Sequence, residues 1–194
     1  MGDICHIPYQ IASEGLRRDI AMLMHDVWPD VSPLPTETMI SNPHDEGWQA
    51  DAFYLYLDGR LASYAGIVQK AIMHQGQRFQ IAGLSCVATA SACRGRGLGR
   101  QTVAAATQWL ERQPHVDFGI FTCHPSLAGF YADAGGWQMV PDVRLIGSEE
   151  AGALSSDALP VVVMQRLLSE KARDFAAALR HTTINLQVPA GQFI

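Results

Sequence analysis

The chain has 194 residues, 48% hydrophobic and 17% charged, with a net charge of -5. A chain of this length buries a core without help from metal or disulfides, its acidic balance argues against a nucleic-acid partner, and it has no apolar run of the ~18 residues that span a bilayer. Cys5, Cys86, Cys93 and Cys123 form neither a C-x-x-C pair nor a zinc spacing, so reduced thiols and no metal site are expected.

The first ten residues lack the basic and apolar regions of a secretory signal, which makes the cytoplasm the expected location. Residues 4–9 predict a short strand. Ser13 has the character of an N-cap, and Leu16, Ile20, Leu23 and Val27 recur at helical spacing until Trp28-Pro29 stops the helix. Residues 30–50, with Pro33, Pro35, Pro43 and Gly47, predict a long polar loop facing substrate. A hairpin follows, strands 52–57 and 60–73 about Asp58-Gly59, bulged near Gly66, and a turn at 74–77 leads into a third strand ending at Thr89.

Beyond a helix that ends near Gln113-Pro114, residues 116–123 predict a buried strand and 125–134 a short helix stopped by Gly135-Gly136. Residues 137–146 and 159–167 predict two closing strands joined by a small, acidic loop at 147–157. A helical pattern at 169–180 precedes a tail without clear periodicity. No repeat or linker marks a second domain, so one domain is expected, 1–168, with 169–194 as a helix and tail belonging to it.

The stretch 80–112 reads as strand, glycine-rich turn and helix. Such a turn directs backbone N–H groups from the positive end of a helix towards a phosphate. A dinucleotide fingerprint needs glycine at 100, where Arg100 stands, and no P-loop spacing occurs anywhere. A second informative feature is charge. Between Asp19 and Gly59 stand eight acids (Asp19, Asp26, Asp30, Glu37, Asp45, Glu46, Asp51 and Asp58) and no Lys or Arg. It is either a solvated acidic face or a lip that attracts a polycationic substrate.

Arg94, Gly97 and Gly99 fit [QR]-x-x-G-x-[GA], and the chain thereby resembles the GNAT acyl-CoA-dependent N-acetyltransferases. The run from His124 through Tyr131 to Trp137 looks like that family's N-x-x-A-x-x-x-Y-x-x-x-G-[FW], with His124 for Asn, Leu127 for Ala and one extra glycine. Among GNAT enzymes the similarity is greatest to the aminoglycoside 2'-N-acetyltransferases. The resemblance implies an α/β (α+β) fold, a mixed and mostly antiparallel sheet of six to seven strands, splayed between strands 4 and 5, with helices on both faces.

It also implies site roles. Acetyl-CoA would be held by the backbone of Cys86, Val87, Ala88 and Thr89, with Ala88 N–H as oxyanion donor. Its pyrophosphate would rest on Arg94, Gly95, Arg96, Gly97, Leu98, Gly99 and Arg100. Tyr131 would protonate the leaving thiolate, a role open to a phenol of pKa about 10. The general base stays open: water held by Ser85 with Glu37, Asp45 or Glu46, the carboxylate of Ile194, or one of His74, His115 and His124. Asp30, Glu37, Asp45, Glu46, Trp48 and Ser85 are the expected acceptor contacts. The expected partner is a cationic amine, an aminoglycoside, and a homodimer could form through the C-terminal segment. The alternatives are another amine acceptor and a non-catalytic acyl-CoA-binding module.

Overall fold

The computed structural model describes residues 3–36, 38–44 and 47–194. Its strands are β1 (Cys5–Pro8), β2 (Gln49–Leu57), β3 (Arg60–His74), β4 (Gln77–Thr89), β5 (Phe118–Cys123), β6 (Gln138–Met139), β7 (Val143–Ile146), β8 (Val162–Leu167) and β9 (Thr182–Asn185). Its helices are α1 (Glu14–Val27), α2 (Leu98–Glu111), α3 (Ala128–Gly135) and α4 (Glu170–Asp174). Seven strands form a mixed, mostly antiparallel sheet in the order β1-β2-β3-β4-β5-β8-β6, with β4 and β5 parallel. Among the described residues no helix is long and apolar enough to cross a membrane.

The chain divides into two compact units, residues 1–68 with 84–108, and 69–83 with 109–194. In the first unit the Ser13 hydroxyl caps α1 by accepting from Leu16 N–H, and Leu16, Ile20, Leu23 and Met24 bury one stripe at helical spacing. The Asp58-Gly59 turn has both residues at positive φ, 51° and 75°, as a tight hairpin requires. On β4, Cys86 has a left-handed φ of 54°. Leu98 packs with Leu55 and Ala62, and Cys93 packs against the same cluster, so both ends of the turn between them are anchored in core.

In the second unit β5 and β8 run antiparallel from Phe118↔Leu167 to Cys123↔Val162. Phe79 meets Phe118 and Phe175 edge to face at 5.5 and 5.8 Å, which ties the segment after α4 to the sheet. The predicted strand 137–146 is two strands. β6 pairs with β8, whereas β7, beyond Pro141, leaves the sheet to pair in parallel with β9. Proline supplies no N–H to a ladder, which explains the break. The predicted helix 169–180 is regular only through α4, capped by Ser169, and continues as turns.

Candidate functional site

In the first unit the expected phosphate turn is open and preformed. Gly95 and Gly97 adopt φ of 74° and 75°, and no heavy atom lies within 4 Å of a Cβ placed on Gly95. A helical bond at the start of α2 runs from Gln101 N–H to the Gly97 carbonyl, which places Leu98 and Gly99 in the first turn, where N–H groups point out of the helix end. The Asp26 carboxylate accepts from Ser91 N–H at 2.8 Å, and Ala90 N–H donates to the Ala62 carbonyl, which fixes the entry to the turn. Arg94, Arg96 and Arg100 are exposed, and Arg94 Nε turns back to the Thr89 carbonyl at 3.4 Å. Open space above left-handed glycines at a helix start fits a pyrophosphate. Thr102 takes no part, because its buried hydroxyl donates to Leu98 O and Ser63 Oγ.

The strand that leads into the turn is held from β3. Ser63 Oγ donates to the Ala88 carbonyl and meets Thr89 Oγ1, both at 3.2 Å. Ser85 is half-buried, with its hydroxyl 3.5 Å from Cys86 Sγ, and Cys86 Sγ donates to the Pro43 carbonyl at 3.1 Å. The left-handed backbone at Cys86 lies in the segment expected to hold the thioester, a position where strain is characteristically kept.

Beside this segment sits a histidine that sequence reasoning missed. His44 is 4% exposed, and its ring lies where a Gly66 side chain would be, next to the Ser85 carbonyl. His44 Nε2 is 2.6 Å from Tyr64 Oη, and Tyr9 meets the ring edge to face at 5.1 Å. Burial holds the His44 pKa at about 4, so the ring is neutral at neutral pH, and burial pushes the Tyr64 phenol well above its usual range. Nothing in the sequence around Pro43-His44 marks this role. Only the glycine at 66, a vacancy on the facing strand, hints at it.

The acidic stretch resolves largely into individual contacts. Asp19 accepts from the Tyr56 hydroxyl, Asp26 holds Ser91, Asp51 pairs with His6 at 2.8 Å, and Asp58 forms the hairpin turn. Asp30 is exposed after α1. Glu37, Asp45 and Glu46 lie outside the described residues. Trp48 is half-buried and lines a cavity of about 400 Å³ together with Tyr9, Arg17, Asn42 and His44.

In the second unit Tyr131 is 7% exposed on α3, packed edge to face against Phe121 at 4.9 Å. Burial, and then the nearby Cys123 thiol, raise its pKa, and no side chain or backbone group among the described residues hydrogen-bonds its hydroxyl. The expected histidine bases are otherwise engaged. His74 bonds the Ala178 carbonyl, His115 bonds Gln69, and His124 Nδ1 accepts from Ser126 N–H at the start of the turn before α3. An oxygen of Ile194 accepts from Thr122 N–H at 3.1 Å and from Thr122 Oγ1 at 2.6 Å, and the Ile194 side chain fills the space over Gly83. A separate cavity of about 490 Å³ holds Glu111, Arg166 and Arg173 but none of the expected site residues, and its Arg166 is committed to Glu111 and the Gly135 carbonyl.

A family model described as the Acetyltransferase (GNAT) family matches residues 18–135. Comparison with curated proteins returned no match. Among solved structures, an acyl-CoA N-acyltransferase from Pseudomonas aeruginosa is similar at 19% identity and TM-score 0.59, covering 86% of this chain and 99% of its own. ElaA from Escherichia coli is similar at 16% identity and TM-score 0.58, over 86% and 99%. The CoA-bound GNAT family N-acetyltransferase YhbS from Escherichia coli is similar at 16% identity and TM-score 0.59, over 95% and 88%. At these identities the likeness is one of fold. With the family model matched over more than half its length, the chain belongs to the GNAT acetyltransferase family, whose members draw the acetyl group from acetyl-CoA.

Proposed function

We propose that this protein moves an acetyl group directly onto the nitrogen of a small amine, with the Tyr131 hydroxyl returning a proton to the leaving sulfur. Acetyl-CoA supplies the activated acetyl group as a thioester. The observation that carries the reading is the turn between Cys93 and Leu98, with two left-handed glycines opening at the N-terminus of α2. Backbone N–H groups from Arg94 to Arg100 hold the pyrophosphate, and the backbone of Cys86, Val87, Ala88 and Thr89 holds the arm, with Ala88 N–H on the thioester oxygen. With its pKa raised by burial, the Tyr131 phenol is protonated at neutral pH and so holds a proton to give, although burial also makes it a weaker acid than a free phenol. The amine's proton leaves through water on Ser85.

A second reading narrows the acceptor to an aminoglycoside. It is favoured by the absence of Lys and Arg between Asp19 and Gly59. Incubation with acetyl-CoA and a panel of aminoglycosides, polyamines, amino acids and peptides, followed by thiol release, tests both. Turnover of some amine is expected. Tight acetyl-CoA binding with no acceptor turned over would instead mark an acyl-CoA-binding module.

A further inference from the structure

The cavity at Trp48 has a chemical character that the acetyltransferase reading leaves unused. Arg17, on its wall, is half-buried and has no carboxylate partner among the described residues, in a chain of net charge -5. Its Nη2 is occupied by the Gln10 carbonyl at 2.7 Å and the Tyr9 carbonyl at 3.4 Å, and its guanidinium carbon lies 5.4 Å from the centre of the Tyr9 ring. The head group is therefore aimed; among the described residues its Nε is buried without a partner, and Glu14, which lines the adjoining cavity with Tyr9, Arg17 and Asn42, is paired with Arg18. A partly desolvated guanidinium held in this way favours a planar anion.

His44 supplies a second unmet donor. Its Nδ1 is buried without a partner among the described residues, and its Nε2 meets the Tyr64 hydroxyl. If Tyr64 accepted from Nε2, the phenol proton and the Nδ1 lone pair would both be stranded. With Tyr64 donating to Nε2, only the Nδ1–H remains unpaired, so this tautomer is the cheaper one. It leaves His44 with no free lone pair and makes it a donor rather than a base. Asn42 adds to the set, because its Oδ1 accepts from His44 N–H at 3.0 Å and its amide group has donors to spare. No acidic side chain lines the cavity among the described residues. A buried donor without an acceptor costs roughly 1–3 kcal/mol, which an acceptor entering the cavity recovers.

We propose that this cavity anchors the acceptor by a carboxylate, received by Arg17, the His44 ring edge and Asn42, so that the substrates are amino acids or related amino-carboxylates. The placement suits the reaction, since the His44 ring lies against Gly66 and the Ser85 carbonyl, beside the strand assigned to the thioester. Tyr9 and Trp48 supply aromatic walls for the body of the molecule. The inference rests on the acetyltransferase reading for its chemistry, but the anion site itself stands on geometry.

The test compares amino acids with their carboxamides, with ethanolamine phosphate and aminoglycosides as further acceptors. A carboxylate site predicts kcat/KM at least about tenfold higher for each acid than for its amide, expressed in KM, and Arg17→Gln removes that preference. Arg17→Lys, which keeps the charge but not the planar fork, gives an intermediate preference, and thermal melting establishes that both variants fold. Without acetyl-CoA, the His44 ring nitrogen resonances shift on titration with an amino acid and not with its amide. Acids and amides used alike, a preference for the phosphate, or aminoglycosides turned over with no effect of Arg17→Gln, would each overturn the carboxylate assignment. Shifts at His44 with no amine acetylated would keep the anion site and refute the acetyltransferase reading, and the absence of both the shifts and a preference for acids would refute the proposal.

Discussion

Tyr131 joins two properties, a phenol packed between Phe121 and Phe130 and a hydroxyl with no hydrogen-bond partner among the described residues. Tyr131→Phe removes one oxygen from a site already apolar, so packing survives while the proposed proton donor is lost. Turnover is expected to fall at least about tenfold, with acetyl-CoA affinity within about twofold. An unchanged kcat would remove the residue from the mechanism. The helix that carries Tyr131 was legible, because its stop at Gly135-Gly136 is written in adjacent residues and Gly136 takes the left-handed C-cap; the role proposed for Tyr131 came from the motif's resemblance alone. His44 was not legible. Its environment is assembled from Tyr9, Tyr64 and Gly66, residues up to 35 positions away, and a buried histidine leaves no local period.

Elements with local determinants were readable. The cap at Ser13, the Asp58-Gly59 hairpin and the glycine turn before α2 each depend on a few adjacent residues, and each appears where the sequence placed it. The closing strands were not readable in full, because β7 and β9 owe their existence to pairing with one another across 39 positions, Val143↔Thr182. Local periodicity cannot report a partner so distant. The turn itself offers a clean substitution. Gly97→Ala forces a side chain into left-handed backbone at φ 75°, which costs about 1 kcal/mol. It also crowds the open face, so acetyl-CoA affinity is expected to drop about tenfold by calorimetry. Gly129→Ala is the control, because Gly129 has an ordinary helical backbone and nothing within 4 Å of an added Cβ. There alanine should hold or raise stability, by up to about 1 kcal/mol, and leave binding unchanged.

For the molecule as a whole, one buried histidine sets part of its acid tolerance. The unfolded chain protonates His44 near 6.5, whereas the fold delays protonation to about 4. Between those values the unfolded state carries the extra proton, so stability falls as pH is lowered through that window and levels off below it. The loss amounts to roughly 3 kcal/mol from this group. Urea unfolding at a series of pH values should show that slope, and His44→Gln should flatten it; an unaltered slope would assign the acid sensitivity to other groups. Selection on the whole protein meets another tension at Cys86. Its left-handed φ costs about 1 kcal/mol that glycine would not incur, yet its thiol holds the Pro43 carbonyl, one residue from His44. A randomised codon at 86, propagated under heat challenge alone, should drift towards glycine. Propagated under demand for acetylated product, it should retain cysteine, and the divergence between the two populations would measure how far foldability and chemistry disagree at a single position.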